Sequence, residues 1–170
     1  RLMARPTTQP HLAAREVAVE ELDPDDPVMR ALQSRLWREE WLPGADDTTV
    51  TQLVDRRSRL DDAGRTVSLV VRDSAGRDCS GEAVACVDVT ARDGIAEIDG
   101  LATLAAYRGR GYALALMARG IEHATDAGCD LVALTALVDD WPREWYARLG
   151  FEDLGPATEA TRAPAAAPIE

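Results

Sequence analysis

Apolar residues along the chain recur at two spacings, every second residue and every third or fourth, and the switches between them mark its elements. Val17 and Val19, flanked by Glu16 and Glu20, alternate as in a short strand. Asp23-Pro24-Asp25-Asp26-Pro27 breaks that pattern and prepares a helix, with Asp26 as its N-cap and Pro27 in the first turn. Val28, Leu32, Leu36 and Trp37 form the apolar stripe of this helix, which stops at Pro43-Gly44. Asp47 or Thr48 caps a second helix carrying Val50, Leu53, Val54 and Arg57, ending before Gly64.

From Thr66 to Arg72 the chain is rich in β-branched residues and reads as a strand. Asp73-Ser74-Ala75-Gly76 turns it back into an antiparallel partner, Glu82 to Thr90, and Arg92-Asp93-Gly94 leads into a third strand, Ile95 to Leu104. Gly111 to Ala127 has helical spacing, with Leu114, Met117, Ile121 and Ala124 on one face and Gly128 as the stop. Leu131 to Val138 is almost wholly apolar, as expected of a strand covered on both faces. Pro142 to Leu149 predicts a short helix closed by Gly150, in which Trp141, Trp145 and Leu149 form the stripe facing the core, and Phe151 to Leu154 a last strand. The order β-α-α-β-β-β-α-β-α-β predicts an α+β domain: a mixed, mostly antiparallel sheet flanked by helices, parallel across one strand-helix-strand crossover. Residues 1–14 read as a flexible lead-in without an apolar leader, residues 15–155 as one domain, and the Ala/Pro/Thr-rich stretch 156–170 as a disordered tail.

Composition narrows the chemistry. Thirty acidic against nineteen basic residues leave a formal charge of −11 over 170 residues, which disfavours nucleic acid and anionic membranes and suits a cationic partner. No apolar run approaches the ~20 residues of a membrane span. All nineteen basic residues are Arg, so Schiff-base chemistry, a pyridoxal-phosphate anchor and a lysine-bearing phosphate loop are excluded. Only His11 and His123 carry imidazoles, and no His/Cys spacing fits a metal site. Cys79, Cys86 and Cys129 read as buried free thiols of a reducing cytoplasm. The Arg- and Ala-rich composition without Lys or Asn fits a GC-rich bacterial genome.

The most informative stretch runs from Leu101 through Ala113: a strand, a Gly-rich turn and the start of an amphipathic helix. Free main-chain N–H groups and the positive end of the helix dipole make such a terminus an anion site. Gly109 and Gly111 let the backbone approach closely, and Arg108 and Arg110 add charge, so a pyrophosphate is a natural guest. A tight surface turn with two solvated arginines is the plainer account. A dinucleotide fingerprint would need a third Gly where Leu114 stands and a parallel sheet from the outset, so a nicotinamide cofactor fits poorly.

Arg108-Gly109-Arg110-Gly111-Tyr112-Ala113 resembles the Q/R-x-x-G-x-G/A motif of the GNAT N-acetyltransferase superfamily, and Trp145-Tyr146-Ala147-Arg148-Leu149-Gly150-Phe151 resembles its second landmark. One helix and one apolar strand separate the two, and the element order is similar from about Val17 to Leu154. The resemblance implies the acyl-CoA N-acyltransferase fold, acetyl-CoA as donor with no metal, and transfer to an amine acceptor, a small molecule or a peptide. Arg108, Gly109, Arg110, Gly111, Tyr112, Ala113 and Leu114 would then hold the pyrophosphate. The main-chain groups of Leu101, Ala102 and Thr103 would face the acetyl carbonyl and pantetheine arm. A dimer is common among proteins of this kind.

Acetyl transfer needs a base for the ammonium, donors for the oxyanion and a proton for the departing thiolate. Glu97 shares a strand face with Ile95 and Asp99 and matches the general base of histone-type members; an outward-facing acid on a half-exposed sheet is the alternative. Tyr146 is rotated about 100° from Trp145 and can look sideways toward the cofactor groove. A phenol, with an ordinary pKa of about 10, stays protonated at neutral pH and can donate to a thiolate. The superfamily often gives a Tyr here that role; otherwise it packs at the core's rim. Trp37 and Trp41 either line an acceptor cleft or pack in the core. Asp139 departs from the superfamily's Asn, since an ionised acid accepts but cannot donate. A non-catalytic acyl-CoA-binding or regulatory domain of the same fold is the competing reading.

Overall fold

The computed structural model describes residues 1–56, 65–73, 81–138 and 141–158. Its elements are β1 (Leu2–Pro6), β2 (Glu20–Leu22), α1 (Pro27–Leu36), α2 (Asp47–Asp55), β3 (Arg65–Asp73), β4 (Glu82–Arg92), β5 (Ile95–Thr103), α3 (Tyr112–Asp126), β6 (Leu131–Thr135), α4 (Pro142–Arg148) and β7 (Glu152–Gly155). A π-helical turn, Trp37–Trp41, prolongs α1, and a 3-10 turn, Ala105–Tyr107, precedes α3. The strands form one seven-stranded sheet in the order β2-β3-β4-β5-β6-β1-β7. Among the described strands β5 and β6 alone run parallel, joined across α3; every other neighbouring pair is antiparallel.

Two apolar layers cover the sheet. On one face Leu116, Met117, Ile121 and Ala124 of α3 pack with Leu69, Val87, Val89 and Ile98. On the other, Met29, Leu32 and Leu36 of α1 pack with Val70, Val84, Cys86 and Leu104. Leu116, fully buried, contributes about 1.5–3 kcal/mol by leaving water. Asp26 caps α1 by accepting from the Val28 N–H at 2.8 Å, as its place before Pro27 predicts. The cap of α2 is Asp46, one residue earlier than Asp47, because only Asp46 reaches back to the Thr49 N–H at 2.9 Å.

The largest correction concerns the amino terminus. Residues 2–6, expected within a flexible lead-in, form β1, inserted between β6 and β7 and paired to both. Met3 fills the core, and Thr7 continues the register by donating its N–H to Asp130 O at 3.0 Å and its hydroxyl to Cys129 O at 2.9 Å. Two facing strands with unpaired backbone groups draw in a third, and five residues carry too little alternation to announce it. Arg5, on the same strand, is 2% exposed; burial lowers its pKa. Its Nη2 donates to Pro10 O at 2.5 Å, while Nε and Nη1 find no partner among the described residues.

Three smaller differences follow from tertiary context. Val17 and Val19 pack against the core without being strand, and pairing begins at Glu20. β6 ends at Thr135, so the apolar run continues into Leu137 and Val138, both well exposed. Trp141 is also exposed, so the expected core stripe of α4 reduces to its partly buried members Trp145 and Leu149. Cys86 and Cys129 are buried, and burial, with the charge of Asp130, raises the Cys129 thiol. Arg57, Cys79, Asp139 and most of the 156–170 stretch lie outside the described residues. Among the described residues no helix is long and apolar enough to cross a membrane.

Candidate active site

β5 has two kinds of neighbour, and the site lies where they change. Ile95, Ala96 and Glu97 pair with Leu131, Val132 and Ala133 of β6. Beyond Glu97 and Ala133 the two strands exchange no further ladder pairs, while β5 keeps pairing with β4 as far as Thr103 opposite Ala85. At Gly100 the β4–β5 register slips, so that Gly100 and Leu101 together stand opposite Val87. Gly100 takes φ +63°, which a side chain would resist. The bulge and the lost partner leave one side of Leu101–Thr103 without a ladder.

A cavity of about 770 Å³ adjoins this stretch. Leu101, Ala102 and Thr103 form one part of its wall, and Trp141, Pro142, Trp145 and Tyr146 of the α4 region another. Arg108, Gly109, Gly111, Tyr112, Ala113 and Leu114 line it at the turn into α3. Gly109 and Gly111 adopt φ +74° and +86°, and among the described residues no side chain caps α3. Its first-turn amides therefore remain available to an acceptor from outside the helix. Leu114, expected in the core stripe, lines this cavity instead, and Leu116 takes the buried place.

Both arginines of the turn already hold carboxylates. Arg108 Nη2 donates to Glu40 Oε2 at 2.5 Å, and its Nε donates to Thr103 O at 3.1 Å. The other oxygen of Glu40 accepts the Ala105 N–H at 2.8 Å. Arg110 turns elsewhere: its Nη1 donates to Asp73 at 3.1 Å, and its guanidinium lies 4.9 Å from the centroid of the Tyr107 ring. Of the turn residues singled out in the sequence, Arg110 alone does not line the cavity.

The candidate acid and base take different positions. Tyr146 lines the cavity, its ring held 5.2 Å from Trp145 and 6.0 Å from Phe151. Glu97 does not line it; it is exposed, on the last rung of the β5–β6 ladder, at the closed end of the split. Since Ala96 and Ile98 belong to the layer under α3, Glu97 and Asp99 project on the opposite, α1 side. Register sets Glu97 beside Thr90 and Asp99 beside Asp88. Asp88 is 9% exposed and accepts from the Ser68 hydroxyl at 2.7 Å. One face of the sheet thus gathers three carboxylates beside the split.

Sequence reasoning missed Glu40. Its signal was available: Val28, Leu32, Leu36 and Glu40 share a spacing of four, so an acid continues an apolar stripe. The π turn, closed by the Leu42 N–H on Trp37 O at 2.9 Å, carries Glu40 and Trp41 to the cavity. Trp37 stays outside the lining, 4.9 Å from Trp41 between ring centroids. Among the described residues no group of three or more His, Cys, Asp or Glu could hold a metal ion.

The family model described as the acetyltransferase (GNAT) family matches residues 27–151. No curated protein matches the chain in sequence. Among solved structures, a functionally unknown conserved protein from Staphylococcus epidermidis is 16% identical with a TM-score of 0.61; the match covers 89% of this chain and 56% of that one. An acetyltransferase from Trypanosoma brucei is 20% identical with a TM-score of 0.59, over 86% of this chain and all of its own. AAC(6')-Iy, solved with the bisubstrate analogue CoA-S-monomethyl-acetylneamine, is 19% identical with a TM-score of 0.63, over 88% of this chain and 100% of that one. At these identities the likeness is one of fold.

Proposed function

The chain belongs to the acetyltransferase (GNAT) family, and from that premise we propose that it transfers the acetyl group of acetyl-CoA to a primary amine by direct attack in a ternary complex. One observation carries the reading. The ladder-free stretch of β5, the uncapped start of α3 and the Tyr146 phenol open onto one cavity. A pantetheine amide can extend the ladder that β6 abandons, and a diphosphate can take the amides at Gly111–Leu114. Arg108, steadied by Glu40, adds charge at that end.

In this mechanism Glu97 takes a proton from the ammonium, directly or through water, and Asp99 and Asp88 on the same face favour the approach of a cation. The freed amine attacks the thioester carbonyl and forms the nitrogen–carbon bond of a tetrahedral intermediate; its collapse breaks the carbon–sulfur bond, and the proton the nitrogen then sheds passes through water to the Tyr146 oxygen, restoring the phenol. Main-chain N–H groups of Leu101–Thr103 stabilise the oxyanion, and Tyr146 gives its proton to the leaving thiolate. The net charge of −11 suits a cationic acceptor.

Calorimetric titration with acetyl-CoA, followed by thiol release over a panel of amines, tests the reading. Tyr146→Phe is expected to lower kcat about 10²-fold while leaving acetyl-CoA affinity unchanged. Absence of both binding and thiol release in the unmodified protein sinks the proposal. Binding without turnover of any amine supports instead a non-catalytic acyl-CoA-binding domain, a reading favoured by one observation, the position of Glu97 outside the cavity wall.

A further inference from the structure

The walls of the cavity differ sharply in chemistry from the acidic strand face beside it. Trp41, on the π turn after α1, and Trp141, at the start of α4, both line the cavity yet remain 39% and 71% exposed. Leu42 beside Trp41, and Leu137 and Val138 just before Trp141 in the chain, are exposed to 44%, 76% and 57%. A single exposed Leu means little, but tryptophans from two separate elements at one cavity, each with exposed aliphatic neighbours, point to a ligand surface.

Among the described lining residues the side-chain polar inventory is sparse. Glu40 is the one carboxylate among the described lining residues, and both its oxygens are occupied by Arg108 and the Ala105 N–H. Among the described lining residues, side-chain hydroxyls come from Thr103, Tyr107, Tyr112 and Tyr146. A polyhydroxylated sugar amine entering such a space would lose water from many hydroxyls and find few partners. A compact ammonium with an apolar body makes no such demand. Its cationic end suits the Glu97–Asp99 face and is attracted by indole faces, and its body covers surface that otherwise faces water.

Resting on the acetyl-transfer reading, we propose that the acceptor is an arylalkylamine, a primary amine on an aromatic body, and that Trp41 and Trp141 are the side chains that select it. The ring lies against the two indoles in offset or edge contact, and the amine points toward the closed end of the split.

Thiol release at saturating acetyl-CoA, with tryptamine and 2-phenylethylamine compared against neamine and spermidine, tests this. The arylalkylamines are expected to show at least about tenfold higher kcat/KM. Trp41→Ala and Trp141→Ala should each raise the KM for tryptamine about tenfold, with the KM for acetyl-CoA moving less than about threefold, and Trp141→Phe should restore most of the loss. Thermal melts confirm that each variant is folded before its kinetics are read, and calorimetric titration with tryptamine gives binding independently of turnover. Better turnover of neamine or spermidine overturns the aromatic acceptor and leaves acetyl transfer standing. Alanine variants that shift the KM for acetyl-CoA instead of the amine overturn it as well. Failure of the unmodified protein to bind acetyl-CoA removes the reading on which the inference rests.

Discussion

The two ends of β5 differ in their pairing and in what they border. From Ile95 to Glu97 the strand is paired on both sides, with β4 and with β6. From Leu101 to Thr103 it is paired on one side only and borders a cavity. At the closed end, Ala96 and Ile98 are buried under α3 and hold the sheet together. At the open end the side chains are half-buried, and what matters is the main chain they leave uncovered. A sheet normally pairs each inner strand on both sides; here one strand lacks a ladder on one side over a few residues, and in the proposed function that gap receives a ligand with amides of its own. In the proposed function, stability and binding therefore separate along a single strand, within a few residues of one another.

If that division is real, substitutions along β5 should move turnover and stability independently. Glu97→Gln, at the junction, should cost about 10³-fold in kcat with the melting temperature and acetyl-CoA affinity unchanged, read by thiol release and calorimetry; an unchanged kcat would strip Glu97 of its role. Ile98→Ala, one residue on but turned toward α3, should do the reverse. It should cost about 3 kcal/mol in urea unfolding while the folded fraction keeps its kcat. Gly100→Ala should be intermediate, costing about 1 kcal/mol through its positive φ and weakening acetyl-CoA as the bulge relaxes. Glu40→Gln should have the smallest effect, raising the Kd for acetyl-CoA about threefold at low salt and less at high salt. Arg108, its partner, is largely exposed, and such pairs are screened.

Much of the fold was legible because local signals were redundant. Asp26 and Pro27 announced α1, Asp93-Gly94 announced the turn between β4 and β5, and the Arg108–Ala113 turn stood between a strand and an amphipathic helix. β1 was not legible, because its five residues carry no alternation of their own and their place depends on two strands more than a hundred residues away. Trp141 was read as core because a spacing of four describes which residues share a face, not whether anything covers that face.

The amino-acid order by itself determined where backbone could bend, where amides would be left uncapped and which residues share a face, since these depend on neighbours within a turn or two. It therefore determined the Gly-rich turn before α3 and the acid-bearing face of β5. Only the tertiary structure decided that β5 and β6 part company after Glu97, that the amino terminus supplies the strand between β6 and β7, and that a π turn swings Glu40 against Arg108. Those outcomes rest on contacts between segments distant in the chain, whose energies arise only when both partners are in place.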